Sequence, residues 1–496
     1  MLYVSLNNKD YFYEIQELIK LFVKPSDFLL VSGHKENESS EEEFREGIVY
    51  LYIHIDLEVK PEINVVLKSK NKDEKSCATL GLLGKGSFNK KQVKDTLKRS
   101  LLSVLSKYYQ YNPPWGILTG VRPSKIVNEM FDQGASEASI IQQLRSYYVI
   151  QAEKIELLLN VAQKERGILQ DSLENSVSLY IGIPFCPSRC IYCSFTSYIG
   201  DEAKMDGYLK ALIKEIQYAG QEVQRTSKTV ESIYIGGGTP TSLYAHQLDA
   251  LLFHIQNSFD TRLLKEYTVE CGRPDTITKE KLMILKKYNV DRISINPQTM
   301  KNETLQMIGR KHDAEDIKEA FRCAKEIGFK SINADLIAGL PGEKPEDFKK
   351  SLEEVIQLDP ENITLHTLAI KKASELRHSL EKHEGDNEEN VKEMLRIGAE
   401  LLKDKGYEPY YMYRQKYISA NLENVGYAKP SFQSFYNIMM IEEKQSILAL
   451  GAGAVSKIFY KNENRFERIA NVSNYEIYQE RIDDMIEKKK SIFFNY

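Results

Sequence analysis

The chain has 496 residues, 42% hydrophobic and 28% charged, an ordinary soluble composition with room for two to four domains. Its 67 basic and 71 acidic side chains leave a formal net charge of −4, which excludes the basic footprint of a nucleic-acid binder. The opening "MLYVSLNNKDYFYEI" lacks a basic segment followed by an apolar run, and no stretch reaches membrane-spanning length. The expectation is a cytoplasmic protein without a membrane span, whose thiols stay reduced.

Residues 1–165 read as an N-terminal α+β accessory domain. "HKENESSEEEFREG" is a solvated acidic loop. "GIVYLYIHIDLEV" partly alternates apolar and polar positions and predicts a strand. In "KKQVKDTLKRSLLSVLSKYY", Val93, Leu97, Leu101, Leu102 and Leu105 recur at helical spacing. "NPPWGILTGVRPSKI" holds Trp115, the only tryptophan, and its Pro and Gly content predicts a fixed, irregular connection. No chemistry is legible here.

From residue 178 the rhythm becomes strand, helix, strand. The strand candidates are "SLYIGIP", "SIYIG", "YTVEC", "RISIN", "INADLIAG" and "NITLHTLA", with helical patterns such as "YLKALIKEIQYAG", "HQLDALLFHIQNSF" and "AEDIKEAFRCAKEIGF" between them. Six β-α repeats imply a parallel sheet with helices outside. With right-handed crossovers, six units favour an open, partial (β/α)6 barrel over residues 175–381. A doubly wound open sheet is the competing arrangement. "KHEGDNEENVKE" (382–393) is a polar break, read as a solvated linker or helix face. Residues 390–496 predict a mostly helical C-terminal region covering substrate and cofactor.

Function in such barrels gathers where the strands end. The first strand runs into Cys186, Cys190 and Cys193, half of the chain's six cysteines, spaced C-x3-C-x2-C. Clustered thiolates bind zinc or iron–sulfur clusters, and structural zinc normally takes four ligands as two separated pairs. No second pair and no nearby histidine is present. Three thiolates on a four-iron cubane leave one iron open to a substrate or cofactor. The second strand ends in "GGGTPT", where glycine lets backbone approach a ligand. Its amides, and the start of a following helix, suit a partly anionic ligand; a tight turn is the plainer reading. Glu270, Gln298 and Asp335 can bond an ammonium or ribose hydroxyls, or simply begin loops. Arg310 can pair bidentately with a carboxylate, or lie on the surface. His366 ends the sixth strand and reads either as substrate contact or as an ordinary histidine.

These motifs resemble the radical S-adenosylmethionine (SAM) enzymes. In that family the open iron chelates the methionine part of SAM, and the reduced cluster cleaves it to a 5′-deoxyadenosyl radical that abstracts hydrogen. "YIGIPFCPSRCIYCSF", "YIGGGTPTSL", "YTVECGRPD", "RISINPQTM", "GRKHDAEDIKEAFRCAKEIGF" and "NADLIAGLPGE", in this order, resemble the oxygen-independent coproporphyrinogen III dehydrogenases. The long N-terminal region resembles the HemZ-type members. The resemblance implies a [4Fe–4S] cluster on Cys186, Cys190 and Cys193, with Tyr180 and Tyr192 bordering SAM and the cluster. It implies that Gly237, Gly238 and Thr239 hold the methionine amine. Glu270, Gln298, Arg310 and Asp335 would bind the rest of SAM, with Ala369 near the adenosyl group. Tyr180, Glu270 and His366 are the implied catalytic side chains. The implied reaction converts two propionates of coproporphyrinogen III to vinyls, giving protoporphyrinogen IX. The implied partners are a tetrapyrrole and a ferredoxin- or flavodoxin-type electron donor, and the chain is expected to be a monomer. The best-known dehydrogenases carry a further cysteine where this chain has Phe195, and a histidine where it has Gly182. The related heme chaperones carry a histidine motif that "AKPSFQSFYNIMM" lacks. A chaperone, or an enzyme of another tetrapyrrole, is the alternative.

Overall fold

The computed structural model describes residues 1–31, 46–57, 61–80, 89–120, 122–369, 388–415, 421–463 and 465–494. The chain divides into two compact units, Met1–Leu159 and Asn160–Tyr496.

The first unit is built on strands β1 (Leu2–Leu6), β2 (Phe28–Val31), β3 (Val49–Asp56), β4 (Glu62–Ser69) and β5 (Asp73–Thr79), in the order β2-β1-β3-β4-β5. β1 runs parallel to both neighbours, and the remaining pairs are antiparallel. The helix Lys90–Tyr109 lies against β4 and β5 and buries Val93, Leu97, Leu101, Leu102 and Leu105, the stripe predicted from its spacing. Trp115 is buried in the irregular connection that follows. There Gly116 has φ +51°, and a Cβ on it would lie 2.1 Å from the Tyr148 carbonyl, so only glycine fits. The acidic loop, apart from Glu46 and Gly47, lies outside the described residues.

Among the described residues, the second unit is built on an eleven-stranded sheet. Its centre is β6 (Ser176–Ile183), β7 (Thr229–Gly237), β8 (Glu266–Gly272), β9 (Arg292–Ile295), β10 (Ser331–Ala338) and β11 (Asn362–Thr367), paired in sequence and all parallel. Helices 202–225, 245–258, 279–287, 314–327 and 345–357 connect them. The six predicted strands are therefore present, and β6 and β11 do not pair with each other, which leaves the barrel partial.

A mostly helical C-terminal region needs correcting. β12 (Glu408–Tyr413), β13 (Asn424–Ala428), β14 (Ser446–Leu450), β15 (Val455–Tyr460) and β16 (Arg465–Ala470) join its helices. β13 adds antiparallel to β11, and β14 adds parallel to β6. "SILAL" is buried throughout, so it shows no alternation, and a short continuous apolar run does not separate strand from helix. The pairing partner decides. Residues 390–496 thus share one sheet with the barrel and form one unit with it. Of the polar break, residues 388–393 open the helix Glu388–Asp404; the rest lies outside the described residues.

The N-terminal mouth of the barrel is plugged by polar groups. Arg292 reaches Glu266 at 3.4 Å, the Asn362 side chain, and the Phe432 carbonyl at 2.7 Å. Ser434 Oγ and the Phe435 N–H donate to Glu266 at 2.9 and 2.8 Å. A buried charge needs such saturation. The cysteines, Glu270 and His366 lie toward the opposite, C-terminal edge. Among the described residues no helix is long and apolar enough to cross a membrane.

Candidate active site at the C-terminal edge of the barrel

β6 leads into the cysteine loop, which protein contacts already hold. Phe185 is buried, edge-on to Tyr208 and Tyr475 with ring centroids 5.5 and 5.4 Å away. The Cys186 N–H donates to Tyr198 O at 3.0 Å and the Ile191 N–H to Ile308 O at 3.2 Å. Ser188 Oγ donates to Gly309 O at 3.2 Å. Cys186 Sγ lies 3.5 Å from Thr239 Oγ1 on the next strand's loop, and Arg273 Nη1 donates to Cys190 Sγ at 3.5 Å. Burial pushes the Cys186 and Cys193 thiols up, so a bound metal has to displace their protons. Among the described residues, no three His, Cys, Asp or Glu side chains converge on a single ion. A cubane instead takes each thiolate on a separate iron.

The glycine run corrects one expectation. Gly238 and Thr239 N–H groups donate to Ile183 O and Phe185 O at 2.8 and 2.7 Å, and the Gly237 N–H is bonded to Glu270. The run continues into a single 3-10 turn, Pro240–Ser242, not a helix start. The backbone beside the cysteine strand takes the Gly238 and Thr239 donors, and the Glu270 carboxylate takes that of Gly237. Glycine is needed for closeness to protein backbone: a Cβ on Gly238 would stand 2.5 Å from Phe185 O. Acceptors for an ammonium on this run are carbonyls and the Thr239 hydroxyl.

Tyr180 and Tyr234 are register partners on β6 and β7, with rings stacked at 6.2 Å. Tyr436 stacks on Tyr234 at 4.5 Å. The Tyr234 hydroxyl donates to Glu270 Oε1 at 2.5 Å. Burial pushes the Glu270 carboxyl up to about 7; this hydrogen bond opposes the rise and the Asp335 charge adds to it. Burial also raises the Tyr180 and Tyr192 phenols.

Arg310 is buried, and its partners are not carboxylates. Nη1 donates to Asn296 O at 2.7 Å and Nη2 to Tyr192 OH at 3.1 Å. Its Nε, and nearby Asn296 Oδ1, are buried without a protein partner. Asp335 accepts from Asn333 Nδ2 at 2.7 Å, and His366 Nε2 lies 3.6 Å from its other oxygen. Burial pushes Asp335 up, but bonds from His366, Asn333 and Thr364 outweigh it and hold the carboxyl below its usual range. Tyr413 OH stands 3.4 Å from His366 Nδ1. Gln298 has φ +69° and clips β9's loop to β10: its N–H donates to Asp335 O at 2.8 Å and its carbonyl accepts from Ile337 at 3.0 Å. Ala369 follows β11 by two residues and is half-buried.

The structure thus joins Cys186 with Thr239, Tyr192 with Arg310, and Asp335 with Gln298 and His366. Tyr234 bridges Tyr180's ring to Glu270. Tyr234, Arg273, Tyr413 and Tyr436 were not singled out from sequence. Tyr234 had a signal: it lies two residues before Gly236, so the same face of β7 carries both. Arg273 and the C-terminal tyrosines had none, because their neighbours are distant in sequence. The unpartnered donor on Arg310, the unpartnered Asn296 acceptor and three separated thiols fit a cluster with a zwitterionic ligand.

Comparison with known proteins agrees. The sequence matches the Radical SAM superfamily over residues 180–355. The oxygen-independent coproporphyrinogen-III oxidase-like protein HemZ of Bacillus subtilis is 41% identical over 404 residues, covering 80% of this chain and 81% of that protein. The heme chaperone HemW of the same species is 33% identical over 285 residues, 56% of this chain and 70% of that one. Among solved structures, coproporphyrinogen III oxidase (HemN) of Escherichia coli shares the fold, with a TM-score of 0.52 and 24% identity over 66% of this chain and 73% of that chain. The chain therefore belongs to the radical SAM superfamily, whose cofactors are a [4Fe–4S] cluster and SAM, and within it to the family of the HemZ coproporphyrinogen-III oxidase-like proteins.

Proposed function

We propose that this protein is a cytoplasmic radical SAM oxidoreductase that decarboxylates the propionates of coproporphyrinogen III to vinyls, giving protoporphyrinogen IX. The supporting observation is the loop after β6 that carries Cys186, Cys190 and Cys193, with the Cys186 sulfur beside the Thr239 hydroxyl at the C-terminal edge of the barrel. Bound together, the cluster and SAM supply a one-electron source and a strong hydrogen-atom acceptor. Each propionate then loses one hydrogen atom from its β-carbon, carbon dioxide, and one electron to a separate acceptor. A ferredoxin- or flavodoxin-type protein supplies the reducing electron.

The chain's own groups orient the reactants. Carbonyls of Gly237 and Gly238 and the Thr239 hydroxyl accept from the methionine ammonium. Arg310 Nε, the donor left without a protein partner, serves the carboxylate. Glu270, Gln298 and Asp335 take the ribose, with Tyr180 and Ala369 beside the adenosyl group. His366, held between Asp335 and Tyr413, faces the substrate. The unit Met1–Leu159 serves substrate or electron delivery.

The test is an anaerobic assay of the reduced, reconstituted full chain with coproporphyrinogen III. A mass loss of two carbon dioxides and four hydrogens per porphyrinogen is expected. SAM cleavage without any substrate decarboxylation would overturn the reading. Stoichiometric heme binding with transfer to an apo-acceptor would instead favour the chaperone reading, which the HemW similarity supports.

Arg310→Ala is expected to weaken SAM binding about tenfold or more, the loss of a charge-assisted bond of about 1.5–3 kcal/mol, with iron content unchanged. Arg310→Lys should recover part, since lysine keeps the charge without the fork. Equilibrium dialysis with SAM checks this; unchanged affinity in the Ala protein would refute the assignment.

A further inference from the structure

Arg273 stands directly behind the cysteine loop. At the end of β8 a bulge at Gly272 (φ +37°) and a tight turn from the Arg273 N–H to Cys271 O reverse the chain. Arg273 is 3% exposed. Five contacts surround it, as many as its five N–H donors. Nε and Nη2 grip Asp275 at 3.0 and 2.9 Å. Nη2 also donates to Ser188 Oγ at 3.0 Å, and Nη1 to Ser188 O at 3.3 Å and Cys190 Sγ at 3.5 Å. Asp275 is itself held from behind by His312 Nδ1 at 3.3 Å. His312 and the Asp275 fork leave the guanidinium one orientation, with one edge at the sulfur.

A neutral side chain could brace Ser188 as well. Asp275 already pairs the buried cation, and the Nη1 edge turned to Cys190 gains further when that sulfur carries negative charge. We infer that Arg273 is a positioning residue for electron entry, raising the reduction potential of the cluster through its fixed charge and its hydrogen bond to the Cys190 sulfur. The inference rests on Cys190 being a cluster ligand. Reduction adds an electron to the cluster, so a cation and an N–H···S bond at one corner stabilise the reduced form more than the oxidised one. Asp275 offsets part of the charge and supplies the aim.

The experiment is a spectroelectrochemical titration of the full chain, reconstituted anaerobically with iron and sulfide and read by electron paramagnetic resonance, with iron and sulfide analysis on each sample. Arg273→Gln removes the charge and is expected to load normally while its reduced-to-oxidised ratio at fixed potential falls about tenfold. For a one-electron couple that is about 59 mV more negative. Arg273→Lys keeps the charge and is expected to fall less than Gln does. A fully loaded Gln protein with an unchanged midpoint overturns the inference. If Gln does not load, Lys decides: loading with a near-native midpoint supports the charge role. Failure of both to load overturns it, because Arg273 then builds the loop rather than setting the potential. A wild-type protein that takes up iron and sulfide in no amount fails the cluster assignment itself, a separate outcome.

Discussion

Replacing Cys186, Cys190 or Cys193 by Ser is expected to abolish the cluster and SAM cleavage together. A serine hydroxyl does not ionise near neutral pH and is a poor ligand for iron–sulfur corners, which take thiolates. No neighbouring thiol can substitute: Cys271 is buried on β8, and Cys323 sits on the helix Ala314–Ile327. Cys190→Ser also removes the sulfur that Arg273 Nη1 bonds, although the guanidinium keeps its ion pair with Asp275. Iron and sulfide analysis, with 5′-deoxyadenosine measured under reducing conditions, reads the result. A Ser protein retaining full iron, sulfide and cleavage would sink the ligand assignment. Cys323→Ser, as control, should match wild type.

The second large effect is on stability. Lys489 and Glu215 form an ion pair at 2.6 Å, each side chain 1% exposed. Glu215 also accepts from the Gly451 N–H at 2.8 Å, Asn471 at 3.0 Å and Tyr478 OH at 2.5 Å. Lys489→Met leaves that carboxylate buried without its cation and should cost about 3–5 kcal/mol, the usual loss when one partner of a buried pair is removed. Adding Glu215→Gln should recover part, since no buried charge remains. Urea unfolding of the apo protein measures both; a loss below about 1 kcal/mol for the single change would show that the pair is not a lock. The lock bears on the site. Tyr208, whose ring is tilted against Tyr478 with centroids 5.5 Å apart, donates to Gly182 O at 2.6 Å and receives the Ala452 N–H at 3.0 Å. The C-terminal helix Ile482–Ile492 is thereby tied to the strand that carries the cysteines, and its loosening should also reduce cluster retention.

The sequence by itself determined the parallel core of the barrel and the place of its chemistry. β6 to β11 were legible because each is a short apolar run set between helices of clear period, and because their C-terminal ends carry the cysteines, the glycines, Glu270, Gln298, Asp335 and His366. The triad of thiols was legible because ligands of one cluster can lie within one loop, where spacing alone is informative. Tertiary structure decided the rest. "SILAL" became a seventh parallel strand only because β6 had a free edge to offer it, a fact no local pattern contains. The Gly238 amide went to the cysteine strand and the Gly237 amide to Glu270, rather than to a ligand, because β7 runs on beside the one and the Glu270 carboxylate reaches the other. Arg310 found carbonyls and a phenol, Arg273 found a sulfur, and Lys489 found Glu215 because each lies far along the chain from its partner. A buried charge is specified by what surrounds it in space, and sequence periodicity reports only which face of an element is turned inward.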